Sequence, residues 1–137
     1  MISVHSYLTF DGNCREAMTF YKNCLGGKLT FQTIGESPLS EEMPEKMKNC
    51  ILHSKLSKDN FVLMASDMVG KEGLIRGNSI SLMLQCVSEA EMQHCYSRLS
   101  EKGIQTSPIS ANIHNALFAT LTDKFGNHWL LHYQKNK

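Results

Sequence analysis

The chain has 137 residues, 42% of them apolar, enough for one compact core and within the usual size of a single domain. Lysine and arginine number 14 against 13 acidic residues, a formal charge of +1, so electrostatic attraction to nucleic acid or anionic lipid is not expected to organise its function. No apolar run approaches the roughly 18 residues of a membrane span, and "MISVHSYLTF" lacks the basic-then-apolar build of a signal peptide, so a cytoplasmic protein without membrane or nucleic-acid partners is expected.

In "SVHSYLTF", residues 3–10, Val4, Ser6, Leu8 and Phe10 alternate with His5, Tyr7 and Thr9, the period of a half-buried strand. "DGNCREAMTFYKNCLGG" follows. With Asn13 as N-cap, Ala17, Phe20, Tyr21, Cys24 and Leu25 fall at helical spacing, and Gly26-Gly27 ends the run. Three strands are predicted next in "KLTFQTI", "NCILHSKLS" and "NFVLMAS", the first two separated by a polar loop holding Pro38 and Pro44. The first module is thus β-α-β-β-β over about residues 1–67.

After a Gly-bearing connector, 68–77, the order starts again. "SISLMLQC" reads as a strand, and Ser88 with Glu91 three residues on reads as a capping box. The helix it opens carries Met92, Cys95, Tyr96 and Leu99 on one face and is expected to stop at Gly103. "IQTSPIS", "ALFATLTD" and "HWLLHYQ" supply three more strands, making a second module of about 78–137 within one domain, 1–137. The helix caps at 13 and 88 lie 75 residues apart, which suits a duplicated supersecondary unit rather than a solenoid repeat. The expected fold is α+β, two tandem βαβββ modules forming a cupped mixed sheet.

"HWLLH" places His128 and His132 four residues apart. On a helix they would share a face and could grip one zinc ion. On the predicted strand they share a face but stand roughly 13 Å apart, too far for one ion. Five cysteines, an odd number with no C-x-x-C pair, fit buried thiols better than a disulfide frame or zinc knuckle. No serine sits in a G-x-S-x-G elbow. His94 and Cys95 are neighbours on a helix and do not face each other.

The stretches "YLTFDGNCREAMTFYKNCLGG", "GESP", "ILHSKL", "LMASD" and "TDKFGNHWLLH", in this order along nearly the whole chain, resemble the vicinal oxygen chelate superfamily of glyoxalase, bleomycin-resistance and extradiol dioxygenase proteins. They are closest to its PhnB-like branch. The most specific pieces are "F-x-G-N-C-x-E-A-x-x-F-Y" and "D-K-F-G-x-x-W". Metal-using members of the superfamily draw ligands from strands lining a shared hollow, where the ion polarises two neighbouring substrate oxygens. The resemblance puts His5 at the first-strand histidine, Ser81 at the matching position of the second module and Leu130 where a final-strand glutamate is expected. Met64 falls near another carboxylate position, and a neutral thioether does not replace a hard anionic oxygen.

The resemblance and the alternation together give a ligand pocket lined by His5, Tyr7, Met64, Ser81, Met83, Leu130 and His132, with Trp129, Leu131 and Tyr133 packed under the helices. The predicted function is binding of a small organic ligand in the cup without a tightly bound metal, with catalytic residues unassigned. One alternative is a divalent-metal lyase, isomerase or thiol transferase using His5 as candidate ligand, with partners such as His53 or His132. Another is an antibiotic-sequestering protein, for which Tyr7 and Phe118 supply the aromatic lining. His53 matches a histidine of the PhnB-like branch and is expected to make a structural hydrogen bond. Demethylubiquinone methyl transfer, after which the branch is sometimes named, is not supported, since no Gly-rich loop follows a strand to hold a methyl donor. Superfamily relatives commonly dimerise, and Met43, Met47 and Met68 fall where no core periodicity asks for them. A C2 homodimer is therefore expected, with segment 35–48 at its interface or over the cup mouth.

Overall fold

Hydrophobic periodicity and turn residues place two α-helices and eight strands among residues 1–135, which the computed structural model describes. The last two positions of the expected second module, 136 and 137, lie outside the described residues. In order they are β1 (Ser6–Thr9), α1 (Cys14–Leu25), β2 (Lys28–Thr33), β3 (Ile51–Lys58), β4 (Phe61–Ser66), β5 (Leu82–Gln85), α2 (Glu89–Leu99), β6 (Ile104–Ala111), β7 (Ala116–Thr122) and β8 (His128–Gln134). Two compact units result, Met1–Ile75 and Arg76–Lys137, each with its own sheet. The orders are β1-β4-β3-β2 and β5-β8-β7-β6, with β1–β4 and β5–β8 parallel and the other pairs antiparallel. This is an α+β fold of two mixed four-stranded sheets.

Each sheet buries one face under its own helix. In the first unit Ala17, Met18, Tyr21 and Cys24 of α1 are buried with Leu56, Leu63 and Ala65 of the sheet. In the second, Met92, Cys95, Tyr96 and Leu99 of α2 are buried with Leu117, Ala119, Leu121, Trp129 and Leu131. A fully buried side chain of this size contributes about 1.5–3 kcal/mol, so the helix-side faces hold the units together. The opposite, helix-free faces carry mixed polar and apolar residues. Four of the five cysteines are buried, with Cys50 half-buried, and all are free thiols. Burial pushes the Cys14 thiol up to about 11 and Cys86 to about 12.

The strands β1 and β5 are shorter than the alternation predicts, although β4 and β8 both begin before the first partner in their ladders. Ser6 pairs with Leu63, two residues into β4, and Leu82 pairs with Trp129, the second residue of β8. Residues 3–5 and 79–81 therefore precede the ladders and are exposed. Helix α2 ends at Leu99 rather than at Gly103. Gly103 answers a different need, since a Cβ there would run into the Thr122 carbonyl and the Asp123 backbone of the neighbouring strand.

The helix starts also differ from expectation. Asn13 occupies the N-cap of α1, but its side chain caps nothing. Asp67, just past β4, does it instead: one carboxylate oxygen accepts the N–H groups of Gly12 and Cys14, each at 2.9 Å, and the other accepts Ile51 N–H at 2.8 Å. An anion at this position satisfies orphan donors and complements the helix dipole. At α2, Ser88 Oγ accepts Glu91 N–H as predicted, but Glu91 reaches back to the N–H of Val87 rather than to that of Ser88. Between β2 and β3 the chain makes three short 3-10 turns, Ile34–Glu36, Pro38–Glu41 and Glu45–Met47. The neck of this loop is closed by Ile34 N–H to Cys50 O and Gly35 N–H to Lys48 O.

Candidate functional site

Five of the seven predicted pocket residues fall on helix-free sheet faces, three in the second unit and two in the first. Tyr7 and Met64 are register partners on β1 and β4, and Met64 pairs in turn with Lys55 of β3. Tyr7 is 52% exposed, and its ring centroid lies 6.2 Å from that of His53, tilted by 36°. His53 thus meets an aromatic ring in place of the expected hydrogen bond. His5 stands apart from this group. It precedes β1, is exposed, and its Nε2 lies 3.3 Å from Ser3 Oγ.

In the second unit Met83, Leu130 and His132 come together. Met83 pairs with Leu130 across β5 and β8, Gln85 pairs with His132 two residues on, and Phe118 of β7 pairs with His132 from the other side. The Phe118 and His132 rings are 4.7 Å apart at 50°. His132 Nδ1 lies 2.7 Å from Gln85 Oε1. Met83 is 56% exposed, an apolar side chain held at a surface. Ser81 is exposed and immediately precedes β5.

Further along the same face, His128 is half-buried and engaged at both ring nitrogens, with Thr122 Oγ1 at 2.9 Å and Gly77 O at 3.1 Å. A hydroxyl chain lies beside it. Thr120 Oγ1 is 2.7 Å from both Thr106 Oγ1 and Ser107 Oγ, at the irregular pairing of β6 and β7. Gln85 is the neighbour of His132 on this face that sequence reasoning missed. Its alternation with Met83 is the one local sign that it shares the face, while its contact with His132 depends on the β5–β8 pairing.

The donor set does not suit a superfamily-type metal. Among the described residues no three His, Cys, Asp or Glu side chains converge as a metal group. Leu130 offers no donor, and His128 has no ring nitrogen to spare.

The most specific stretch of the sequence has a structural role. In "DKFGNHW", Asp123 is buried, and one carboxylate oxygen accepts Phe125 N–H at 2.9 Å and Asn127 N–H at 3.0 Å. Its other oxygen accepts the buried Trp129 indole N–H at 2.9 Å. Gly126, at φ +90°, supplies the left-handed residue of the turn. The signature is thus a hairpin clamp that fixes where β8 begins, and so where Leu130 and His132 stand.

The sequence profile of the family described as 3-demethylubiquinone-9 3-methyltransferase matches residues 3–132. The chain is 26% identical to protein YjdN of Escherichia coli K12 over 96% of its own length and 95% of that protein's. It is 32% identical to protein PA1353 of Pseudomonas aeruginosa, whose crystal structure superposes with a TM-score of 0.87, covering 99% of this chain and 100% of the other. The PhnB protein of Bacillus cereus is 22% identical with a TM-score of 0.72, covering 96% and 99% of the two chains, which shows a shared fold. Glyoxalase/bleomycin resistance proteins share the fold more distantly, at TM-scores between 0.56 and 0.63.

Proposed function

Because the chain belongs to the family described as 3-demethylubiquinone-9 3-methyltransferase, the PhnB-like branch of the glyoxalase/bleomycin resistance/dioxygenase superfamily, we propose that it binds a small organic ligand on the helix-free faces of its sheets, without a tightly held metal. The observation that carries this reading is the second unit's open face, where Met83, Leu130 and Phe118 stand next to a polar pair, Gln85 and His132, with His128 and the Thr120 hydroxyl group further along. Apolar side chains beside a few placed polar groups are the usual chemistry of small-molecule sites. Tyr7, Met64 and His53 supply the corresponding group on the first unit. His5, before β1, and Ser81, before β5, each serve at the margin of their own unit's group.

Methyl transfer does not follow from the family's description. The two strand-to-helix turns, 10–13 and 86–88, contain a single glycine between them, so neither offers the glycine-rich cradle of a nucleotide-type methyl donor. The protein is also proposed to be cytoplasmic and a C2 homodimer, with segment 35–48 at the interface or over the ligand. Among the described residues β1, β2, β5 and β6 are edge strands, and such edges together with the exposed Ile104 favour association.

A small-molecule screen by amide chemical shifts tests the binding reading: shifts grouped on Tyr7, Met64, Met83 and His132 are expected, and binders that leave both faces unperturbed would sink it. Elemental analysis tests the metal clause. Near-stoichiometric zinc, nickel, manganese or iron that is lost in His5→Ala would overturn it in favour of a metal-dependent enzyme. Light scattering at micromolar concentration giving a mass near the 15.5 kDa of one chain would exclude the dimer.

A further inference from the structure

The open face of the second sheet carries two histidines four residues apart on β8, and their ring nitrogens are committed differently. At His128, Nε2 faces the Gly77 carbonyl at 3.1 Å. A carbonyl only accepts, so Nε2 holds the proton, and Nδ1 receives the Thr122 hydroxyl at 2.9 Å. Both nitrogens are spent within the fold. At His132, Nδ1 faces the amide oxygen of Gln85 at 2.7 Å, so there Nδ1 holds the proton. The neutral ring then presents the lone pair of Nε2, which makes no hydrogen bond among the described residues. One strand face thus holds the two opposite tautomers, one closed and one open.

The half-buried His132 ring has apolar and in part aromatic neighbours on this face. Phe118 stands beside the imidazole at 4.7 Å, and the Met83–Leu130 pair lies two residues along the strands. A hydrogen-bond acceptor in such a setting selects for a ligand that brings one donor and otherwise buries well. An unmatched polar group on the ligand or on His132 would cost the bond without compensation.

We propose that His132, set in its Nδ1–H tautomer by Gln85, is the specificity-determining acceptor of this face, and that the ligand class it takes is a small aromatic compound with one acidic hydroxyl, phenolic in type. This deepens the reading given under Proposed function and rests on it. Gln85 acts as a positioning residue: its amide oxygen fixes which nitrogen is offered, and its parallel pairing with His132 fixes the ring's place. Phe118 favours a planar ring beside the imidazole. No covalent step is implied. The ligand hydroxyl donates to Nε2, and Nδ1–H continues to donate to Gln85.

The experiment compares phenol with anisole, which has the same ring but no hydroxyl proton, on the full chain labelled with nitrogen-15. In long-range spectra of the free protein, His132 is expected as the Nδ1–H tautomer and His128 as the Nε2–H tautomer. On titration, phenol should bind about tenfold more tightly than anisole, the worth of one hydrogen bond, and should move the His132 Nε2 resonance. The tenfold preference should vanish in His132→Phe. In Gln85→Leu it should shrink as the tautomers mix, and Gln85→Glu, which keeps an acceptor at Nδ1, should restore it. An Nε2–H tautomer at His132 in the free protein would overturn the assignment without any variant having to fold. So would equal affinity for the two compounds, or their failure to perturb Met83, Phe118 and His132. The wider reading would survive each of these results, since it falls only if other small molecules also leave both open faces unperturbed.

Discussion

The two units follow one plan and fasten it in different ways. In the first, the start of α1 depends on a carboxylate 53 residues away in sequence, since Asp67 holds Cys14 N–H and Ile51 N–H together. In the second, α2 caps itself through Ser88 and Glu91, and the distant clamp is used elsewhere, with Asp123 closing the turn before β8. A repeated topology therefore repeats the burial pattern, which sets strand and helix order, and leaves the polar fastenings free to differ. A locally capped helix can form on its own signals. A remotely capped one requires its sheet.

Asp123→Ala should show the largest effect, because it strands two backbone N–H groups and a buried indole N–H at once. A loss of about 3–4 kcal/mol in urea unfolding is expected, with Trp129 fluorescence reporting the change. Asp67→Ala should cost less, about 2–3 kcal/mol, because the site is only half-buried and water can reach some of the donors. Its signature should be local, with faster amide hydrogen exchange at residues 12–17 and at Ile51. Exchange that stays unchanged there would mean that α1 does not lean on the remote cap. Ser88→Ala should cost about 1 kcal/mol, the usual worth of an N-cap hydroxyl, and leave the first unit's exchange untouched.

The smallest contrast appears only in alkali. A thiol that ionises near 9 when unfolded and only at about 11 (Cys14) or about 12 (Cys86) when folded favours the folded state through its protonated form. That contribution is complete below pH 9, declines as pH rises further, and is gone above the folded values. Stability should therefore be flat in these groups up to pH 9. Measured against wild type, Cys86→Ala should flatten the decline over a wider window than Cys14→Ala. Parallel stability profiles for wild type and both variants between pH 9 and 12 would contradict this.

The same contrast explains what could be read from the sequence. Strands β2 to β4 and β6 to β8 and both helices follow from periodicity, because one-sided burial imposes it residue by residue. The starts of β1 and β5 do not, since the alternation runs on through residues 3–5 and 79–81 while the ladders begin only at Ser6 and Leu82, and this left His5 and Ser81 outside the strands. Asn13 has the right residue type and position for a cap, but nothing local reveals that Asp67 takes over the task. The second unit's site is similarly divided. Met83, Leu130 and His132 share a face by alternation, while the bond from His132 to Gln85 spans 47 residues and exists only through parallel pairing. Sequence spacing reports which face a side chain takes and is silent about which neighbour meets it there.

The closed neck between β2 and β3 has a consequence for how this protein can diversify. Gly35 N–H to Lys48 O and Ile34 N–H to Cys50 O seal the loop from the sheet, so its length is uncoupled from strand register. Extending a flexible loop costs only about 0.6 kcal/mol per doubling of length. Insertions near Ser40 should then be nearly silent in stability, and a series of lengthened variants whose midpoints fall steeply would show that the seal does not hold. A segment with such latitude lets a lineage sample new surface chemistry without reopening the problem of folding, while the clamps at Asp67 and Asp123 keep the scaffold still.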